Sequence, residues 1–405
     1  MSASARPLRG ERPALSQGAA AAVLALLMGL QPATTDIYLP ALPLLTQALA
    51  APMALAQMTM AALILAFGFG QLLWGPVADR FGRRPVLVGT LLAYALASVG
   101  GALAGNIEQL VLWRTLQGFT MAGAVVCSRA MVRDLYQPIE GAQVMALALS
   151  GLGVVAIAGP ALGGFVATAA GWRTALAVVA TYGALALAVV TWRVPETLAL
   201  KNPHATAPGP MLANWAEVLR HPGFRAWMLL VTCTYGGIFS YLAASSFVFI
   251  DVLGLSASQY GLAMASASAF YMAGTLVCRP WIRRFGIAGT VVRAAGFTAV
   301  AGLSVVALAV AGVHTVWALL VPQWIYCFGH GFHMPCGQAG TVAPFPHKAG
   351  AASALAGFVM AVAAFGIGRW LGGAMDGSVL PFVWGLGFWS AMTCAVAWTL
   401  VRRHG

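Results

Sequence analysis

Charge is scarce in this chain. Only 8% of its 405 residues are Asp, Glu, Lys or Arg, and 10 of those are acidic. A typical soluble domain has about 25% charged residues overall, so a water-facing globule is excluded. Cysteine is also sparse: Cys127, Cys233, Cys278, Cys327, Cys336 and Cys394 all fall in or at the ends of apolar runs, with no CxxC. That spacing supports neither a disulfide framework nor a zinc site. No HExxH, GxSxG or spaced acidic metal motif occurs, which leaves a membrane enzyme with little to work with.

Apolar sequence is abundant instead, at 60% of residues with a mean hydropathy of +0.84. A bilayer core of roughly 30 Å is crossed by about 20 helical residues. Pro, Gly and charge punctuate the chain into twelve candidate spans near 17–41, 57–77, 85–104, 107–129, 141–167, 172–194, 223–249, 257–279, 287–311, 315–336, 348–371 and 380–401. The expected fold is all-α and polytopic, with twelve transmembrane helices. The net charge of +12 is read as topology, since Lys and Arg stay on the cytoplasmic side, and nucleic-acid binding is the weaker reading. Arg6, Arg9 and Arg12 put the N-terminus inside, and Arg402 and Arg403 put the C-terminus there too; Arg129 falls to a cytoplasmic connection. Only Arg114, Arg173 and Arg369 are left for the membrane and the opposite face. A signal peptide ending near Ala48-Leu49-Ala50 is the competing reading of the start, but the apolar stretch from Gly18 already has spanning length.

The polar segment from Pro195 to Pro222 holds five prolines and reads as a linker. The expected organisation is a tail over 1–16, a six-helix lobe over 17–194, a cytoplasmic linker over 195–222, a second six-helix lobe over 223–401 and a tail over 402–405. A faint repeat supports pseudo-symmetric lobes: Gly70, Pro76, Arg80, Phe81 and Gly82 recur as Gly274, Pro280, Arg284, Phe285 and Gly286. Asp79 breaks it, with Arg283 as its counterpart. Duplicated halves with a site between them are a transporter architecture.

The stretch Gly75-Pro76-Val77-Ala78-Asp79-Arg80-Phe81-Gly82-Arg83-Arg84 packs charge and glycine between two apolar runs and predicts a short loop. With the following Pro85-Val86-Leu87 it resembles the signature between the second and third helices of the major facilitator superfamily. Thr35-Asp36-Ile37-Tyr38-Leu39-Pro40-Ala41-Leu42-Pro43 resembles the first-helix signature of the Bcr/CflA drug-resistance transporters. Leu112-Trp113-Arg114-Thr115-Leu116-Gln117-Gly118 resembles the fourth-helix arginine motif, and Gly159-Pro160-Ala161-Leu162-Gly163-Gly164 the fifth-helix antiporter motif of drug/proton exchangers. The resemblance implies the major facilitator fold and a drug/proton antiporter. One departure is Val155, where the longer antiporter pattern often opens with glycine.

Asp36 is the one carboxylate well inside a proposed span, where an unpaired charge costs several kcal/mol. Helical rise puts both Asp36 and Arg114 about 10 Å below the same membrane face. The two meet if spans one and four are neighbours, as in the resembling family, and would then form the proton-coupling pair; a static ion pair holding two helices is the structural alternative. The resemblance assigns Gly75, Asp79, Arg80, Gly82, Arg83 and Arg84 to a gate, with Asp79 facing the N-terminus of helix eleven near Lys348 to Ser353. A merely basic cytoplasmic turn explains the same residues more simply. Gly159, Gly163 and Gly164 clear one helix face for close approach, and Pro160 removes a backbone donor; plain helix packing is the alternative role. His330 and His333 share a face of span ten and are read first as packed polar groups with internal partners, second as a proton relay; two imidazoles are an incomplete metal set. Tyr38, Gln117, Met121, Tyr235, Phe239, Tyr241, His330 and His333 are the expected cavity residues.

The expectation is therefore a proton-coupled exporter of small, largely apolar compounds in a bacterial inner membrane, working by alternating access. It needs no metal or cofactor, draws on the proton motive force, and has protons, a small-molecule substrate and lipid as partners, as a monomer without nucleic acid. An uncoupled facilitator or narrow metabolite carrier, with Asp36 and Arg114 binding the substrate itself, is the alternative.

Overall fold

The computed structural model describes residues 16–405; Arg6, Arg9 and Arg12 lie outside the described residues. No strand occurs among those described. The order is α1 (Gln17–Met28), α2 (Leu30–Asp36), a 3-10 turn (Leu39–Ala41), α3 (Leu42–Ala48), α4 (Met53–Phe81), α5 (Arg83–Ala102), α6 (Ile107–Leu135), α7 (Pro138–Arg193), α8 (Pro208–Arg220), α9 (Pro222–Ser246), α10 (Ala257–Val310), α11 (Val316–Val342), α12 (Ala349–Ala374) and α13 (Leu380–Val396). A short α14 (Arg402–His404) follows. Nine helical stretches among the described residues are long and apolar enough to cross a membrane. Two of them have the length for two crossings: α7 has 56 residues and α10 has 54.

Both long helices break at glycine. Gly171 has φ 81° and Gly286 has φ 69°, a left-handed conformation that other residues reach only with strain. These breaks fall where the charge and glycine punctuation separates spans five from six and eight from nine. The first span is less regular than expected. It ends as a helix at Asp36, turns through Leu39–Ala41 and resumes as α3, because Pro40 and Pro43 lack the N–H groups that would bond back along the helix.

The 75–84 loop is shorter than expected. Gly75 to Phe81 stay helical with Pro76 inside α4, and the reversal is made at Gly82 alone, with φ 110°. Its repeat counterpart has the same build. Arg80 lies over the Phe81 ring at 5.2 Å, and Arg284 lies over Phe285 at 5.2 Å. Gly70 abuts the Phe119 carbonyl on α6, as Gly274 abuts the Phe328 carbonyl on α11. The repeat is thus carried in backbone conformation as well as in residue identity.

Across the halves, α4 packs along α12 and the first part of α7 packs along α10. Small residues permit the first contact: Gly372 faces Ala54, Gly368 faces Ala61 and Gly68 faces Ala361. Without a hydrophobic drive between helices in lipid, such close approach supplies van der Waals contact. The linker folds over one end of the bundle, called the basic end below. There Asn202 N–H donates to the Asp79 carbonyl at 2.9 Å, and Lys348 Nζ meets Glu217 of α8 at 2.5 Å.

Candidate functional site

The break in the first span exposes Asp36 at the last position of α2. Pro40 cannot donate to the Asp36 carbonyl, so the backbone here is open while the surrounding helices are intact. Discontinuous membrane helices mark substrate and ion sites in transporters. The carboxylate accepts from Thr35 Oγ1 at 2.7 Å and forms no ion pair among the described residues. Tyr235 and Tyr260 lie within its electrostatic reach.

The glycines of α7 form the wall behind this acid. A Cβ at Gly159 would sit 3.5 Å from Asp36 Cβ, whereas one at Gly163 would overlap the Ile37 backbone. On the other side, Gly164 abuts the Ala257 carbonyl of α10, and Gly261 abuts the Pro160 carbonyl. The antiporter-motif glycines thus clamp α7 between the broken helix and the opposite half.

Asp36 and Arg114 do not meet, contrary to the expectation from depth. Arg114 is 1% exposed and has no carboxylate within ion-pair distance among the described residues. Its Nη1 donates to the Thr34 carbonyl at 3.2 Å and to Gln117 Oε1 at 2.8 Å, and its guanidinium lies 4.1 Å from the Tyr38 ring centre. The reason is azimuth. Positions 34 and 38 are each two residues from 36, about 200° around a helix, so the face that presents Thr34 and Tyr38 to Arg114 turns Asp36 away. Gln117 is held in turn by its donation to Ser98 Oγ at 2.7 Å, and Tyr38 Oη pairs with Thr59 Oγ1 at 2.6 Å.

At the basic end, Asp79 makes no hydrogen bond to α12. It pairs with Arg83 at 2.6 Å, and Arg83 reaches on to Asp134 of α6 at 3.0 Å. Asp79 sits on α4 one turn before Arg83, so its nearest cation is local. The first turn of α12 is approached by Arg129 and Arg133 of α6 instead: Arg129 Nη1 donates to Ser353 Oγ at 3.4 Å, and Arg133 Nη2 lies 4.0 Å from the Cβ position of Gly350. Arg84 Nε donates to the Val194 carbonyl at 2.9 Å, and Arg80 donates to Thr206 Oγ1 at 2.6 Å. Gly75 lies in open contact with Val126. Glu196 went unnoticed in the sequence. It accepts the Arg83 N–H at 2.9 Å and the Arg84 N–H at 3.3 Å, capping the first turn of α5 where the helix dipole favours an anion.

A cavity of about 90 Å³ opens among α2, α4, α6, α9, α11 and α12, nearer the basic end. It is smaller than the roughly 300–1,000 Å³ that holds a drug-sized ligand. Of the expected cavity residues only Tyr235 lines it. Tyr38 and Gln117 serve Arg114, and Met121 and Phe239 are fully buried in the core. Tyr241 packs at 6.1 Å from Phe382, its hydroxyl without a partner. His330 Nδ1 pairs with Thr234 Oγ1 at 2.9 Å, whereas His333 approaches the Val291 main chain outside hydrogen-bonding geometry. Internal partners therefore hold for one histidine of the two. The lining residues that were missed include Gln31, Gln71, Arg129 and Gln338. Their signal was present as polar residues within apolar runs, and Arg129 lies inside α6, not in a connection.

The chain matches the model of the Major Facilitator Superfamily over residues 24–368. It belongs to that superfamily. Members are transporters, not enzymes, and need no cofactor, so the chain is a multi-pass bacterial-type membrane transporter. It is 30% identical over 347 residues to the uncharacterized MFS-type transporter YdgK of Bacillus subtilis strain 168, covering 84% of this chain and 85% of the relative. It is 28% identical to multidrug resistance protein D of Escherichia coli K12, covering 83% and 84%. It is 30% identical to the chloramphenicol resistance protein of Pseudomonas aeruginosa, covering 79% and 75%. These relatives place the superfamily member in the Bcr/CflA-type group. A D-xylose–proton symporter shares its fold, with a TM-score of 0.72 at 17% identity over 95% of this chain and 96% of that one.

Proposed function

We propose that this transporter is a proton-coupled multidrug exporter of the bacterial inner membrane. The observation that carries the reading is the seat of Asp36: an acid at a break in a membrane helix, backed by the antiporter-motif glycines and without a cation partner among the described residues. Such an acid changes its proton affinity when substrate or a moving cation approaches, because in a low dielectric its charged form depends strongly on neighbours. The names of the relatives, multidrug resistance protein D and chloramphenicol resistance protein, support the efflux direction.

In this reading the chain crosses the membrane twelve times, with both termini and the basic end cytoplasmic, and works as a monomer. Lobes 17–194 and 223–401 rock about the contacts of α4 with α12 and α7 with α10. Arg114, held on Tyr38 and Thr34, is the fixed positive charge of the coupling site, and Asp36 is the proton carrier that approaches or leaves it as the broken helix rotates. The Asp79–Arg83–Asp134 chain and Glu196 keep the 79–84 segment on its own lobe while Asp79 is undocked from α12. A proton entering down 100 mV brings about 2.3 kcal/mol from voltage alone.

The test is proton release from acidified everted membrane vesicles during addition of antibiotics, dyes and metabolites, with Asp36→Asn as the control. The expected result is a compound-dependent signal that the substitution abolishes while the protein stays folded in the membrane. Uphill transport retained in Asp36→Asn removes Asp36 from the mechanism, and silence of the wild type across the panel favours an uncoupled carrier.

A further inference from the structure

Arg129 has no counter-ion among the described residues and lies on the wall of the inter-lobe cavity. It lies six residues before the end of α6, about 9 Å inside at helical rise. Its one hydrogen bond, to Ser353 Oγ, is long at 3.4 Å. No Asp or Glu lines the cavity, and Asp36, on the helix that contributes Gln31, stands farther along toward the other end. Arg133 and the N-terminal turn of α12 add positive potential at the same end, since the first amides of a helix are unbonded donors. Lys348, by contrast, is already paired with Glu217.

We infer that this cavity takes an amphiphilic small molecule bearing an acid group, with its anionic end on Arg129 and its body against Phe67 and Tyr235. The inference rests on the transport reading and narrows it to a substrate class. A guanidinium without an ion-pair partner on a half-buried cavity wall gains more from a carboxylate, which it meets through two parallel N–H donors, than from a neutral group. It repels a cation, and no acid in the lining offsets that repulsion. Gln31, Gln71 and Gln338 offer both donors and acceptors, so they accommodate polar atoms on the substrate body without selecting charge. The small volume admits the acid head first, and a fused-ring body enters fully as the lobes part. An anion leaving on Arg129 and a proton entering on Asp36 would also use separate groups, so the two cargoes need not compete for one carboxylate.

The experiment measures equilibrium binding of a charge series on one aromatic body to the full chain in lipid nanodiscs: naphthoate, naphthamide and naphthylmethylammonium at neutral pH. Wild-type protein is expected to bind naphthoate about tenfold more tightly than either isostere, a difference of about 1.4 kcal/mol. Arg129→Gln should erase that preference while keeping naphthamide binding, which reports an intact fold, and Arg129→Lys should keep most of it. Equal or tighter binding of the amide or the ammonium compound by the wild type overturns the inference, as does naphthoate preference surviving in Arg129→Gln or failure of all three to bind. Naphthoate flux in energised everted vesicles is read in parallel. Binding preference without flux counts against the exporter reading and leaves the anion site standing; flux of the neutral and cationic compounds without anion preference does the reverse.

Discussion

The guanidinium of Arg114 sits over the ring of Tyr38, 4.1 Å from its centre, in a part of the core where both side chains are almost wholly buried. Tyr38 is pinned by its hydroxyl contact with Thr59, so ring and cation form a fixed unit. A cation–π contact away from water contributes about 2 kcal/mol, and with the Thr34 and Gln117 acceptors it makes a buried arginine tolerable without a neighbouring acid. The positive charge is thereby kept in the bundle but not spent on a permanent salt bridge with Asp36.

Tyr38→Phe keeps the ring and loses only the hydroxyl contact, so it should cost about 1 kcal/mol and leave transport near wild type. Tyr38→Ala removes the ring and should destabilise the protein by about 3–5 kcal/mol. Thermal unfolding in detergent, with vesicle transport alongside, measures both; equal effects of the two substitutions would show that the ring face is unimportant.

Gly159 and Gly163 differ in the room beside them. Gly159→Ala places a methyl in ordinary contact with Asp36 and should be tolerated. Gly163→Ala drives a methyl into the Ile37 backbone and should cost about 1–3 kcal/mol by overpacking, with loss of proton-coupled transport because the broken helix is displaced. Vesicle proton release on the two variants, normalised to protein in the membrane, checks the contrast.

Glu196→Ala removes the carboxylate from the first turn of α5 and should lower stability by about 1–2 kcal/mol, without changing ligand binding at the inter-lobe cavity. The melting midpoint and nanodisc binding separate these effects. A loss of binding with unchanged stability would show that Glu196 acts on the site and not as a cap.

Cys278 on α10 and Cys336 on α11 have their Sγ atoms 3.6 Å apart, both buried. A membrane-permeant copper(II)–phenanthroline oxidant should join them, removing two titratable thiols: each thiol loses its proton to solvent and one electron to copper(II), and the S–S bond forms. Cys336→Ala should prevent this, and a charged maleimide should label neither. Thiol titration under denaturing conditions gives the count.

Much of this architecture was legible in the sequence because it depends on one-dimensional quantities. Apolar run length dictates membrane-spanning helices, and the glycine breaks at Gly171 and Gly286 stand where punctuation separates the runs. The doubled Arg80–Phe81–Gly82 pattern foretold a doubled structure because identical local sequence favours identical caps. Asp36 was legible as the acid inside a span, and the α7 glycines as a close-approach face.

What the sequence by itself determined was therefore composition, depth and order along the chain: a polytopic helical transporter with an embedded acid. Tertiary structure alone decided rotation and neighbourhood. Depth placed Asp36 level with Arg114, but helix azimuth turned Asp36 toward α7 and left Arg114 to Tyr38 and Thr34. It also moved Arg129 from a basic connection to a cavity wall and brought Glu196 back onto α5 across more than a hundred residues. Contacts of that kind follow from packing between distant helices, where side-chain direction and lobe position together decide which groups touch, and no local pattern in the chain encodes either.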